Sequence, residues 1–267
     1  MFAAKAAALR TLDLSRQVGA AIFTCDGEII AMGSNEVPKA MGGTYWSDDA
    51  GELDDRDYVR GCDANDQRKR ERLNEILKIV GVELPEGSLK KKELEDSQFM
   101  DALEYGRIIH AEMSAISDAA RLGRSLRGST LFCTTFPCHI CAKHIIAAGI
   151  ERVIFLEPYP KSLTSDLHGD AVIIEGADRG KYQNYPSVKF DHFCGISPRR
   201  YREMFERQKR KDHNGNFIEW NDDNIARPII DLKFPFYMTL EEEVLTSLAG
   251  YLKTLGLTID DLNPPKA

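Results

Sequence analysis

The sequence predicts an α/β layered domain, and three observations carry that expectation. Between residues 111 and 156, stretches of helical apolar spacing alternate with short β-branched and aromatic runs, the pattern of helices laid on a sheet. Ahead of them two apolar runs flank Cys25-Asp26-Gly27, a turn sequence with a flexible glycine. Between hairpin and core lies a long insertion over about 41–105, and a C-terminal helical extension follows over about 198–267.

Taken in order, residues 2–14 place Phe2, Ala6, Leu9 and Leu12 at helical intervals and are expected as one helix running into the polar Ser15-Arg16-Gln17 turn. Residues 18–24 and 28–32 are the two hairpin strands, left by the loop Gly33-Ser34-Asn35-Glu36-Val37-Pro38. Residues 41–66 lack periodicity, and a connection this long is normally functional or mobile. Residues 67–80 are expected as a helix, with Leu73, Ile76, Leu77 and Val80 on one side and a basic outer face; 81–97 are expected as a second polar loop. The insertion is expected to cover the functional site.

The core follows as a helix over 111–122, a strand over 129–134, a helix over 138–148 ended by Gly149, and a strand over 152–156. Beyond it come strands at 171–174 and 188–192, a helix over about 198–211, a polar linker over 212–228 and an amphipathic helix over 240–255.

Composition bounds what such a chain does. With 267 residues and 43% hydrophobic content it can bury one substantial core, so 1–267 is expected as a single elaborated domain. Thirty-five basic against 42 acidic residues give a formal charge of -7, which argues against an extended nucleic-acid surface and favours small substrates. Six cysteines are too few for a disulfide scaffold, and the apolar opening of residues 1–10 is too short to span a membrane. A cytoplasmic setting is expected.

Two motifs carry the chemistry. His110-Ala111-Glu112 and Pro137-Cys138-His139-Ile140-Cys141 form the H-x-E and P-C-x-x-C pairing of zinc-dependent deaminases. A catalytic zinc takes three protein ligands and keeps its fourth position for water, and His110, Cys138 and Cys141 supply such a set for one ion. Both cysteines fall at a helix start, where free N–H groups and the dipole favour thiolates, and Pro137 suits a tight helix entry. Glu112 is placed to move protons between that water and a ring bearing an amino group. His139 and His144 share the helix of the cysteines but are surplus to the set, and Cys133 is expected as an inert thiol in a buried strand. A structural zinc alone would leave Glu112 without a role.

With Ser15-Arg16-Gln17-Val18-Gly19-Ala20-Ala21-Ile22 and Gly33-Ser34-Asn35 preceding the two motifs in that order, the chain resembles the deoxycytidylate deaminases. Glu157-Pro158-Tyr159-Pro160-Lys161-Ser162 with Phe193-Cys194-Gly195-Ile196 and Pro198-Arg199-Arg200-Tyr201 looks like a narrower group, the deaminase domain of the antiphage dCTP deaminases. The resemblance implies a three-layer α/β/α cytidine-deaminase-like fold with a central mixed sheet, zinc on His110, Cys138 and Cys141, proton shuttling by Glu112 and sugar contact by Asn35. The substrate-binding candidates are Asn35, Ala111, Arg16, Tyr159 and Lys161, the last three as phosphate partners. Antiphage dCTP deaminases carry a P-loop kinase-like domain ahead of this one, and this sequence has no G-x-x-x-x-G-K-[ST] run, so an excised domain or a short form is expected.

The implied partners are a deoxycytidine nucleotide, dCMP or dCTP, an allosteric deoxynucleotide triphosphate, and further copies of the chain in a homo-oligomer; no nucleic acid and no membrane are expected. Two other readings stay open: a deaminase of RNA or single-stranded DNA, which shares the zinc chemistry, and a nucleotide-binding sensor without turnover.

Overall fold

In the computed structural model, residues 1–49, 51–85, 88–201 and 237–254 are described. The chain divides into two compact units, Met1–Arg199 and Arg200–Ala267. The first holds helices α1 (Phe2–Ala8), α2 (Asp57–Arg60), α3 (Ala64–Ile79), α4 (Leu89–Glu95), α5 (Ala111–Arg121), α6 (His139–Ala147) and α7 (Thr164–His168). Its strands are β1 (Gly19–Phe23), β2 (Ile29–Ser34), β3 (Thr130–Thr135), β4 (Arg152–Glu157), β5 (Val172–Ile174) and β6 (Val188–His192). In the second unit, helix α8 (Tyr237–Thr254) falls where the terminal amphipathic helix is expected. The helix expected over 198–211 and the linker over 212–228 lie, from residue 202 onward, outside the described residues.

Among the described residues the strands form one sheet in the order β2-β1-β3-β4-β6-β5. Strand β1 runs antiparallel to β2 and β3, while β3, β4, β6 and β5 run parallel, so the sheet is mixed. Strand alternation sorts the side chains onto two faces. Ala20, Ile22, Leu131, Cys133, Val153 and Phe155 pack with Ala115 and Ala119 of α5 and Ala142 and Ile145 of α6. Ala21 packs on the opposite face with Met1 and Ala4 at the chain's start, flanked by Phe132, Ile154 and Leu156. The result is three layers, with a cytidine-deaminase-like arrangement of helices on both faces of a mixed sheet.

Two glycines set how closely the layers approach. A Cβ on Gly19 would stand 2.0 Å from the Ala4 carbonyl oxygen, and one on Gly33 would stand 2.2 Å from that of Ala111. Only a residue without a side chain lets α1 and α5 lie this close to the strands.

The local differences from expectation have physical causes. Helix α1 ends at Ala8 instead of continuing to 14. Beyond it the Thr11 hydroxyl donates to the Asn35 carbonyl and the Leu12 N–H donates to the Glu36 carboxylate at 2.8 Å, so tertiary hydrogen bonds take over from helical ones. The expected polar loop over 81–97 contains α4, whose start is capped by the Ser88 hydroxyl on the Lys91 N–H. Helix α3 begins three residues ahead of 67, capped by Asp63. Short helix α7 was not foreseen; nothing in its five residues shows a helical stripe.

The topology also says where a site must lie. Strands β2, β3 and β4 point the same way, so the residues after them, with those just before antiparallel β1, emerge along one edge. Asn35, Val18, Thr135 to Cys138 and Tyr159 to Lys161 therefore meet at the carboxyl ends of the strands, where open α/β sheets bind ligands.

Candidate active site

His110 is the N-cap of α5 and Cys138 the N-cap of α6, with Cys141 in the first turn of the latter. The antiparallel bridge Glu36↔Ile109, closed by the Ile109 N–H on the Glu36 carbonyl at 3.1 Å, fixes the segment entering α5 beside the end of β2. Gly33 lets that first turn settle on the strand. On the other side the Ser162 hydroxyl donates to the Pro137 carbonyl at 2.9 Å and holds the turn into α6.

The three side chains converge. His110 Nδ1 stands 3.3 Å from Cys138 Sγ and 3.3 Å from Cys141 Sγ, and all three ligand atoms lie within 4.8 Å of one another. Ligand atoms around a tetrahedral zinc are roughly 3.5 Å apart, given bonds of about 2.0–2.3 Å. The two sulfurs and one imidazole nitrogen thus fit a zinc ion in spacing and in chemistry. It is the one such group among the described residues.

Electrostatics favour the same assignment. The Cys138 thiol is drawn down to about 4 by the hydrogen bond from Cys141, with His110 assisting, while the Cys141 thiol is pushed up by the same bond and by burial. The His110 ring is drawn up to about 9 by its hydrogen bond to Cys138. These are the signs of a thiolate centre that attracts positive charge.

Glu112 is 4% exposed. Burial first, and then the charge of Cys138, push its carboxyl above the ordinary range, which makes it readier to hold a proton than a surface glutamate. Cys133 on β3 is fully buried, and its thiol is pushed up by burial and by Glu112, so it remains a neutral neighbour. His144 Nδ1 meets the Ile140 carbonyl at 2.7 Å, and neither it nor His139 belongs to the convergent set.

A cavity of about 630 Å³ opens over this group. His110, Ala111, Glu112 and Cys138 form its floor, and Asn35, Arg16, Tyr159 and Lys161 also line it, so every site candidate except the more deeply set Cys141 is brought to the cavity wall. The Asn35 amide is engaged within the chain: its Oδ1 accepts the Val18 N–H at 2.7 Å and its Nδ2 donates to the Arg16 carbonyl at 2.9 Å. Arg16 pairs with Glu157 at 3.8 Å and stands 5.8 Å from the Tyr159 ring. Lys161 pairs with Asp101 at 2.6 Å.

The insertion lines the cavity, as expected of it, with Asp57, Asn65, Lys69 and Leu103, and Arg107 lines it just past the insertion. Lys69 stands in the run Arg68-Lys69-Arg70 of the helix expected to have a basic outer face, yet it is only 8% exposed and donates to the Met100 carbonyl at 2.7 Å. Its neighbours keep to the helix surface, where Arg68 pairs with Glu71. Arg107 donates to the Asp55 carbonyl and lies 3.7 Å from Asp57. Sequence reasoning has Lys69 only within a basic cluster of a helix face and does not single out Arg107, whose signal was its position three residues ahead of His110.

A mixed sheet with helices on both faces, a His-Cys-Cys metal centre at two helix starts and a buried glutamate beside it define a zinc-dependent deaminase fold. The family model of the cytidine and deoxycytidylate deaminase zinc-binding region matches residues 1–157, and the chain belongs to that family. Among its relatives, the deoxycytidylate deaminase of Enterobacteria phage T2 is 46% identical over 54 residues, 20% of this chain and 29% of that protein. The probable deoxycytidylate deaminase of Drosophila melanogaster is 36% identical over 108 residues, 38% of this chain and 52% of that one. The deoxycytidylate deaminase of Pongo abelii is 28% identical over 149 residues, 56% of this chain and 57% of that one. The chain thus spans between 29% and 57% of the length of these curated relatives. The dCMP deaminase from the cyanophage S-TIM5 in apo form matches with a TM-score of 0.37 and 17% identity over 71% of this chain and 90% of that chain. Tyr159 and Lys161 fall just past the residues matched by the family model. Among the described residues no helix is long and apolar enough to cross a membrane.

Proposed function

We propose that the protein removes the exocyclic amino group of a deoxycytidine nucleotide, dCMP or dCTP, by hydrolysis, yielding the uracil nucleotide and ammonia. The observation that carries this reading is Glu112, an acid buried beside the His110, Cys138 and Cys141 set and opening onto a cavity of nucleotide size. When bound, zinc supplies a Lewis acid that makes water nucleophilic near neutral pH, with a pKa of about 7. His110, Cys138 and Cys141 hold the ion. Glu112 takes the proton that the attacking water gives up, passes it to the ring nitrogen, and moves a second one to the departing amine. Ala111 sets the floor against which the base lies.

The rest of the cavity sorts the substrate. Arg16, Tyr159, Lys161, Lys69 and Arg107 all line the cavity, so a phosphate-bearing ligand is favoured over a free nucleoside. Asn35 faces the sugar; to meet a hydroxyl its amide exchanges one of its present loop partners. A dCTP-consuming enzyme of this kind would deplete a precursor of phage DNA, the role implied by the likeness to antiphage deaminases.

Ammonia release from cytidine, deoxycytidine, dCMP, dCTP, CTP and a cytosine-containing oligonucleotide tests the proposal. Turnover of dCMP or dCTP, with little from the nucleosides, is expected. Turnover of a cytosine-containing oligonucleotide alone would establish the polynucleotide reading instead, and binding of a nucleotide without ammonia release would establish the sensor.

A further inference from the structure

We infer that Glu36 and Arg56 form a buried joint through which the insertion sets the position of the substrate loop, and that both are positioning residues for the reaction. The inference builds on the deaminase reading given above.

Glu36 is 1% exposed and Arg56 2% exposed, a degree of burial charged residues rarely reach. The Glu36 carboxylate accepts the N–H of Leu12 at 2.8 Å through Oε2 and the N–H of Val37 at 2.8 Å through Oε1. Its carbonyl accepts the N–H of Ile109, the residue before His110. Its predecessor Asn35 holds Val18 and the Arg16 carbonyl. One dipeptide therefore ties together the 11–18 loop, the end of β2 and the entry to the metal ligand.

Arg56 fastens the insertion to that dipeptide. Its Nη1 makes no hydrogen bond and meets Glu36 Oε2 in a buried ion-pair contact of 3.6 Å, while Nε and Nη2 donate to the Asp54 carboxylate at 2.9 and 2.7 Å and Nη2 also reaches the Trp46 carbonyl at 3.1 Å. The rings of Tyr45 and Tyr58 stand 5.4 and 5.2 Å from the guanidinium. The next residue, Asp57, is part of the cavity wall. A buried ion pair is a poor way to gain stability, since apolar residues often serve as well. What it does well is hold one geometry between segments distant in sequence, here the wall and the floor of the cavity.

The test compares the parent protein with Arg56→Met, Arg56→Lys and the double variant Glu36→Gln/Arg56→Met, measuring the unfolding midpoint, zinc content, and kcat and KM on dCMP and dCTP. Arg56→Met leaves Glu36 buried without its partner and unfolds earliest. The double variant removes the charge stranded at Glu36, leaving Asp54 with only Tyr58 as a side-chain partner, and so recovers part of the stability, yet keeps its zinc with KM raised at least about tenfold and kcat changed far less. A stable, zinc-loaded double variant with the parent KM would overturn the proposal. Should that variant not fold, Arg56→Lys decides, because lysine keeps the charge without the planar fork: a raised KM supports the joint and the parent KM overturns it. If the parent turns over no cytosine nucleotide, the functional reading has failed by itself. The joint is then decided by hydrogen exchange at residues 35–37 and 107–112, faster in the variants if it positions them and unchanged if it does not.

Discussion

A side-chain carbon on Gly33 would lie 2.2 Å from the carbonyl oxygen of Ala111 and 2.5 Å from the amide nitrogen of Ala115. The obstacle is helix backbone, which cannot swing aside as a side chain can. Gly33→Ala must therefore push the first turn of α5 off β2, and with it His110 and Glu112. The expected cost is about 1–3 kcal/mol of stability, the range for overpacking. Urea unfolding will show it, and metal analysis of the purified variant will show reduced zinc occupancy, which a simple loss of stability elsewhere in the fold would not produce.

In the proposed mechanism Glu112 shuttles protons, and no ligand atom of the convergent set comes from it. Glu112→Gln preserves shape and polarity but cannot accept and return a proton. We expect zinc content and nucleotide binding to stay at parent levels while kcat falls by about 10²–10⁴-fold. Zinc loss in this variant would show that Glu112 serves the metal and not the proton.

The motifs were legible because their geometry is local. His110 and Cys138 are helix caps, and a cap can be read from the few residues around it. Strands β3, β4 and β6 and helices α5 and α6 were legible through periodicity and breakers such as Gly149. What escaped was whatever depended on distant partners. Nothing near Leu9 says that the chain leaves the helix to reach Asn35 and Glu36. Glu36 itself looks like a loop charge until Leu12, Ile109 and Arg56 close around it. The Arg68-Lys69-Arg70 run looks uniformly solvated, although Lys69 turns inward because the Met100 carbonyl awaits it.

Lys161, which lines the cavity after β4, pairs with Asp101 of the insertion at 2.6 Å. Their side chains are 62% and 30% exposed, so the pair adds at most about 0.2–1 kcal/mol to stability. On the proposed function, a substrate phosphate would compete with Asp101 for the same ammonium. Lys161→Met should raise KM for dCMP and dCTP about tenfold or less while leaving any slow turnover of deoxycytidine unchanged. Asp101→Asn frees the lysine and should lower KM for the nucleotides. Steady-state kinetics at two salt concentrations check both, and equal effects on nucleotide and nucleoside would remove Lys161 from phosphate recognition.

Asp54 gives a pH dependence whose sign is fixed. Hydrogen bonding from Arg56 above all, with Tyr58 adding to it, holds its carboxyl far below the usual carboxylate range. A group with a depressed folded value stabilises the protein fully above its unfolded value, about 3.9 for aspartate, and loses that contribution as pH falls toward the folded value. Asp54→Asn keeps the size but gives up the charge-assisted bonds to Arg56, at an expected cost of about 1.5–3 kcal/mol at pH 7. Urea unfolding of parent and variant should therefore differ most at neutral pH and converge progressively below about pH 4. A gap that stayed constant across this range would mean that the Asp54 carboxylate does not hold Arg56 in solution, and the wall built on Arg56 would need another anchor.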